Sequence, residues 1–143
     1  LHLCDRRQRQ MCIRDRNYMV VTFDLNNLKM CNDNYGHSSG DAYIIHSAHI
    51  IETTFDRFGK CYRIGGDEFC CLIPDAAEFQ IERFIQKMQQ DIAILNNKNI
   101  IPTEVGIACG YALATPDDAD IEKVRERADE MMYHNKKVLK GLI

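Results

Sequence analysis

The chain has no apolar run long enough to cross a membrane. Its longest apolar stretches lie at residues 19–23 and 105–114, well short of the roughly 18 residues a spanning helix needs. No apolar segment follows the early charges, so no secretory signal is visible at the start. No CxxC pair occurs either. The seven cysteines, an odd number, stand at Cys4, Cys12, Cys31, Cys61, Cys70, Cys71 and Cys109, a spacing that excludes a zinc ribbon or a thioredoxin-type motif. Several sit inside apolar runs, where a reduced thiol acts as a small hydrophobe. The expected setting is a reducing cytoplasm.

Excess positive charge is missing as well. The net charge is -3, to which residues 1–16, with five Arg against two Asp, contribute +3. The remaining residues hold thirteen basic and nineteen acidic side chains, a balance of -6. An acidic body is a poor duplex-binding surface, because sequence-independent affinity comes from neutralising phosphates; no nucleic-acid partner is expected. A small anion could still bind beside local cations or a metal. What is present suits one folded domain: 143 residues, 45% hydrophobic and 27% charged, too hydrophobic for a disordered chain.

Residues 1–16 show no helical or strand period and read as a disordered tail, a linker remnant or foreign sequence, leaving 17–143 as the domain. Residues 19–23 are β-rich and predict a buried strand ending at Asp24. A short helix is expected over 25–33. A second, capped by Ser38 or Ser39, runs to about residue 55. Strands follow at 60–64 and 68–73 around Gly65-Gly66, then a helix over 76–95, a strand over 103–114 and a helix over 120–139. This order matches the ferredoxin-like βαββαβ unit, an α+β arrangement with helices packed on a mostly antiparallel sheet. That topology brings Asp24, at the end of the first strand, close to Asp67 and Glu68 in the hairpin.

Two glycines at that hairpin permit positive φ and close backbone approach. Two carboxylates directly after them are costly unless a cation or hydrogen bonds satisfy them. The stretch Arg63-Ile-Gly-Gly-Asp-Glu-Phe69 resembles the signature of the GGDEF family of diguanylate cyclases. Residues 24–41 are similar to the family's D-x-x-x-x-K-x-x-N-D-x-x-G-H-x-x-G-D run, and Ala128-Asp-Glu-Met-Met-Tyr133 with Lys136 to its A-D-x-x-x-Y-x-x-K helix. The three blocks span about residues 18–140.

The resemblance implies a core of the nucleotidyl cyclase and polymerase palm type. It also implies condensation of two GTP into cyclic di-GMP with release of two pyrophosphates. Asp24 and Asp67 match the metal carboxylates, for Mg²⁺ or its substitute Mn²⁺, with the Leu25 carbonyl as an added ligand. Glu68 would assist the site or help activate the attacking 3′-hydroxyl. Asn32 and Asp41 match the guanine contacts, since a carboxylate can accept from guanine N1–H and the exocyclic amine. Lys29 and Lys136 would face the polyphosphate. Gly36 and Gly40 read as turn geometry and His37 as a structural hydrogen-bonder. Arg63 either orients the hairpin carboxylates or is an exposed strand residue. One carboxylate set per domain, for two new phosphodiester bonds, implies a homodimer with one GTP in each copy.

The chain also departs from the family pattern. Asp56-Arg-Phe-Gly59 stands where an inhibitory R-x-x-D product site would lie, so no product inhibition through that site is expected. The family's opening L-T-G-L-x-N-R element is absent. Leu139-Lys140 replaces a Gly-Arg pair, with Lys140 a partial substitute for phosphate contact. These departures suggest a fragment truncated at both ends, with a sensory domain upstream. Two rivals stay open: an inactive module binding GTP or cyclic di-GMP, and another nucleotidyl cyclase of the same group.

Overall fold

The computed structural model describes residues 2–3 and 17–141. The expected tail over 1–16 therefore lies outside the described residues, except for His2–Leu3. Those two residues form β1. The rest run β2 (Met19–Leu25), α1 (Leu28–Tyr35), α2 (His37–Phe55), β3 (Lys60–Arg63), β4 (Glu68–Ile73), α3 (Ile81–Asn97), β5 (Ile107–Leu113) and α4 (Ile121–Leu139). The sheet order is β1-β3-β4-β2-β5. β1 joins β3 in parallel and every other pairing is antiparallel. Strands β2 to β5 and helices α2 and α3 reproduce the expected βαββαβ core.

β2 is central, and all seven of its residues are buried. Its side chains alternate between the two faces of the sheet. Met19, Val21, Phe23 and Leu25 join Phe69, Cys71, Ile73 and Ile107 against Tyr43, Ile51 and Phe55 of α2 and Met88 and Ile92 of α3. Each such aliphatic or aromatic side chain removed from water contributes about 1.5–3 kcal/mol. The opposite face carries Val20 with Cys70, Leu72 and Ala112, packed against Ile121, Val124 and Ala128 of α4. Thr22 and Asp24 fall on this α4 side by the same alternation. Gly110 is needed there, because a Cβ would overlap the carbonyl of Ala128 and the amide of Met132. The missing side chain lets α4 lie directly on β5.

Several element ends differ from expectation. Leu25 stays in β2, paired with Ile107, and the chain turns at Asn27, whose φ of 60 is left-handed; asparagine tolerates that conformation. α2 begins at His37 rather than after Ser38 or Ser39. Gly36, with φ 90, reverses the chain without a side-chain cap. α3 starts at Ile81 because Phe79 leaves the helical path to stack on Phe84, 5.0 Å away. Cys31, Cys61, Cys70, Cys71 and Cys109 are free and buried, in keeping with their reading as small hydrophobes; Cys4 and Cys12 lie outside the described residues.

Candidate active site

Pairing places Asp24 opposite Glu68 on β4 and opposite Ala108 on β5. The turn between β3 and β4 is fastened from both sides. The Leu25 amide donates to the Asp67 carbonyl at 2.9 Å, and the Ile64 amide to the Glu68 carbonyl at 2.9 Å. Arg63 donates through Nε to the Gly65 carbonyl at 3.1 Å and through Nη2 to that of Gly66 at 3.0 Å. It thus holds the turn's backbone and not its carboxylates. Neither Gly65 nor Gly66 has positive φ, against the expectation for a two-glycine hairpin; the four-residue connection is closed by Arg63 instead. A Cβ at either glycine would meet nothing within 4 Å, so the turn offers bare backbone beside the carboxylates.

Asp24, Asp67 and Glu68 each present a carboxylate oxygen, all within 4.8 Å of one another. Asp24 is buried at 7% exposure, and its Oδ1 has no hydrogen-bond partner. Burial, then the charge of Asp67, raises its pKa, opposed by Lys136 and Lys140. Burial, then Asp24, Asp129 and Asp67, raises the pKa of Glu68, opposed by Arg125. Three crowded carboxylates with one orphaned buried oxygen are a set of hard donors suited to a divalent cation such as Mg²⁺.

The cationic side is supplied by α4. Ala128, Met132 and Lys136 recur every fourth residue and share one stripe of the helix. With Ala128 seated over Gly110, the stripe carries Lys136 Nζ to 3.2 Å from Asp24 Oδ2. A cleft of about 510 Å³ opens beside this pair. Leu25, Asp67, Lys29, Asp33, Lys136 and Lys140 are among the residues lining it, and its volume falls within the range of small-molecule sites.

Asn32 and Asp41 are not among the residues lining this cleft. The Asn32 side chain lies where α1 meets α2, and a Cβ on Gly40 would overlap its Oδ1. Gly40 therefore serves close helix approach and not a turn, whereas Gly36 is a turn glycine as expected. Asp41 follows Gly40 and is exposed, and His37 opens α2 in an exposed position.

Sequence reasoning missed Tyr43. Its buried hydroxyl donates to the Asn26 carbonyl at 2.6 Å and accepts from the Gly106 amide at 3.0 Å. It latches α2 to the chain directly after the Asp24 strand. It also missed Asp129 and Arg125 of α4, whose charges bear on Glu68. A lone tyrosine in an amphipathic helix carries no local signal for such a role.

A family model described as "Diguanylate cyclase, GGDEF domain" matches residues 2–140. Among curated proteins, the chain is 33% identical over 132 residues to the bifunctional diguanylate cyclase/cyclic di-GMP phosphodiesterase MucR of Pseudomonas aeruginosa, covering 89% of this chain and 19% of MucR. It is 32% identical over 119 residues to diguanylate cyclase DgcN of Escherichia coli, covering 82% and 29% of the two chains. The chain thus spans less than a third of the length of either relative. The GGDEF domain of DgcB from Caulobacter crescentus, solved with c-di-GMP, has the same fold with a TM-score of 0.79 at 22% identity, over 90% of this chain and 80% of that one. The active GGEEF domain of a Vibrio cholerae diguanylate cyclase gives 0.73 at 22% identity, over 93% and 90%. No helix among the described residues is long and apolar enough to cross a membrane. From motif, fold and these matches together, the chain belongs to the GGDEF-domain family of diguanylate cyclases.

Proposed function

We propose that this domain condenses two molecules of GTP into cyclic di-GMP, two copies facing each other with one GTP in each. The observation that carries this reading is the trio Asp24, Asp67 and Glu68, drawn within 4.8 Å, with Asp67 lining a cleft that Lys29, Lys136 and Lys140 also line. Asp24 and Asp67, with the Leu25 carbonyl, would hold Mg²⁺, or Mn²⁺ in its stead. When bound, that ion would neutralise the charge developing on the α-phosphate and its leaving group. The three lysines bear on the triphosphate and offset its charge. Glu68, with its pKa raised by burial and Asp24, suits acceptance of the proton from the attacking 3′-hydroxyl. In each of two such steps, the 3′-oxygen bonds to the partner's α-phosphorus, the α–β bridging bond breaks, and pyrophosphate leaves. Asn32 and Asp41 select guanine on the α1–α2 side. In the full protein, a sensory domain would control the pairing of copies, in the cytoplasm.

The test is Mg²⁺-dependent pyrophosphate release from GTP over a range of protein concentrations, with ATP in parallel. Release that rises more steeply than linearly with protein, prefers GTP and vanishes in Asp67→Asn is expected. GTP binding without release at concentrations that force pairing would overturn the reading in favour of a binding module. Equal turnover of ATP would point to another nucleotidyl cyclase.

A further inference from the structure

We infer that Lys136 is a built-in counter-cation that holds the metal-facing carboxylate of Asp24 until a divalent ion and nucleotide displace it. This inference rests on the metal reading of the carboxylate trio. Lys136 Nζ is 3.2 Å from Asp24 Oδ2, and both side chains are largely shielded, at 24% and 9% exposure. The other Asp24 oxygen is buried without a partner. Asp67 and Glu68 crowd the same point, so among the described residues Lys136 is the cation seen against a strongly negative cluster.

A lysine ammonium is a compact point charge on a flexible stem. It can neutralise Asp24 and can also turn toward the cleft, whose wall it shares with Lys29 and Lys140. It cannot do both fully. While it sits on Asp24 it occupies one acceptor oxygen and repels an incoming cation. A triphosphate in the cleft offers more negative charge and draws the ammonium away. Nucleotide then raises metal affinity, and by reciprocity metal raises nucleotide affinity. The domain would bind free divalent ions weakly and load metal and nucleotide together.

The test measures Mn²⁺ binding, by the electron paramagnetic resonance of free Mn²⁺, on the nucleotide-free domain. Lys136→Met should bind Mn²⁺ about ten-fold tighter than the natural chain, the factor that about 1.4 kcal/mol represents. Lys136→Arg keeps the charge and should stay near the natural value. Lys137→Met makes the same charge change on the same helix. Lys137 lies over the Tyr133 ring at 4.5 Å, so its loss should leave Mn²⁺ affinity unaltered. Toward 3′-deoxy-GTP, which lacks the attacking hydroxyl, Lys136→Met should instead bind more weakly. Should the Met variant not fold, Lys136→Gln carries the same expectations.

Mn²⁺ affinity unchanged or lowered in Lys136→Met, or raised equally in Lys137→Met, would overturn the inference. Failure of the underlying metal reading has a different signature: Mn²⁺ binding would then be indifferent to Asp67→Asn, with or without Lys136.

Discussion

Replacing Glu68 with Gln should stabilise the metal-free domain while abolishing turnover. The trio's oxygens lie within 4.8 Å of one another. Two unit charges at such a separation repel by about 3.5 kcal/mol at an effective dielectric constant of 20. Glu68 is only half-buried, and solvent screening reduces the gain to about 1 kcal/mol. For a domain of this size that corresponds to a rise of about 3–5 °C in Tm. The pH dependence follows from the sign of the shift. Burial and Asp24 raise the folded-state pKa of Glu68, so its charged form is less favourable folded than unfolded. The penalty is absent below the unfolded value of about 4.3, grows as pH rises, and is complete above the folded pKa. Thermal melts in EDTA from pH 4 to 8 should show the variant above the natural chain at neutral pH, with the gap closing toward pH 4. Saturating Mg²⁺ and 3′-deoxy-GTP should reverse the order, since only the intact trio gains fully from binding. A Glu68→Gln domain melting at or below the natural one in EDTA at pH 7 would refute the claim that Glu68 is crowded by the neighbouring carboxylates.

Tyr43→Phe leaves the buried Asn26 carbonyl and Gly106 amide without their partner. At about 1–3 kcal/mol for each unpaired group, a total loss of about 2–6 kcal/mol is expected, read as a lower urea midpoint with unchanged slope. Gly40→Ala drives a methyl into Asn32; KM for GTP should rise and the preference over ATP should shrink, measured by parallel turnover of the two nucleotides. Cyclic di-GMP added to the assay should leave the initial rate unaltered. Where the family carries R-x-x-D, Arg57 here lies over its neighbour Phe58 at 5.0 Å. Potent noncompetitive inhibition would contradict that expectation.

Most of the fold was legible because its signals are local. The β-branched and aromatic run at 19–23 appears as β2, and the stripe from Ile81 to Leu95 appears as α3. Asp120 caps α4 through the Lys123 amide, as a helix-start aspartate should. The ends of elements were harder. Leu25 reads as a helix start from its neighbours, yet it is held in the sheet by Ile107 and by the Asp67 carbonyl, partners remote in sequence. Tertiary hydrogen bonds override local propensity at such boundaries.

The amino-acid sequence by itself singled out Asp24, Asp67 and Glu68 and placed Asp24 and the Gly-Gly-Asp-Glu turn at one end of the sheet, because strand alternation and hairpin order are short-range rules. Only the tertiary structure decided that Lys136 reaches Asp24, that Arg63 closes the turn and that Tyr43 latches α2 behind the site. The Lys136 and Tyr43 contacts depend on how closely α4 and α2 approach the sheet. Packing sets that approach, for α4 over the bare backbone of Gly110, and no local pattern encodes it.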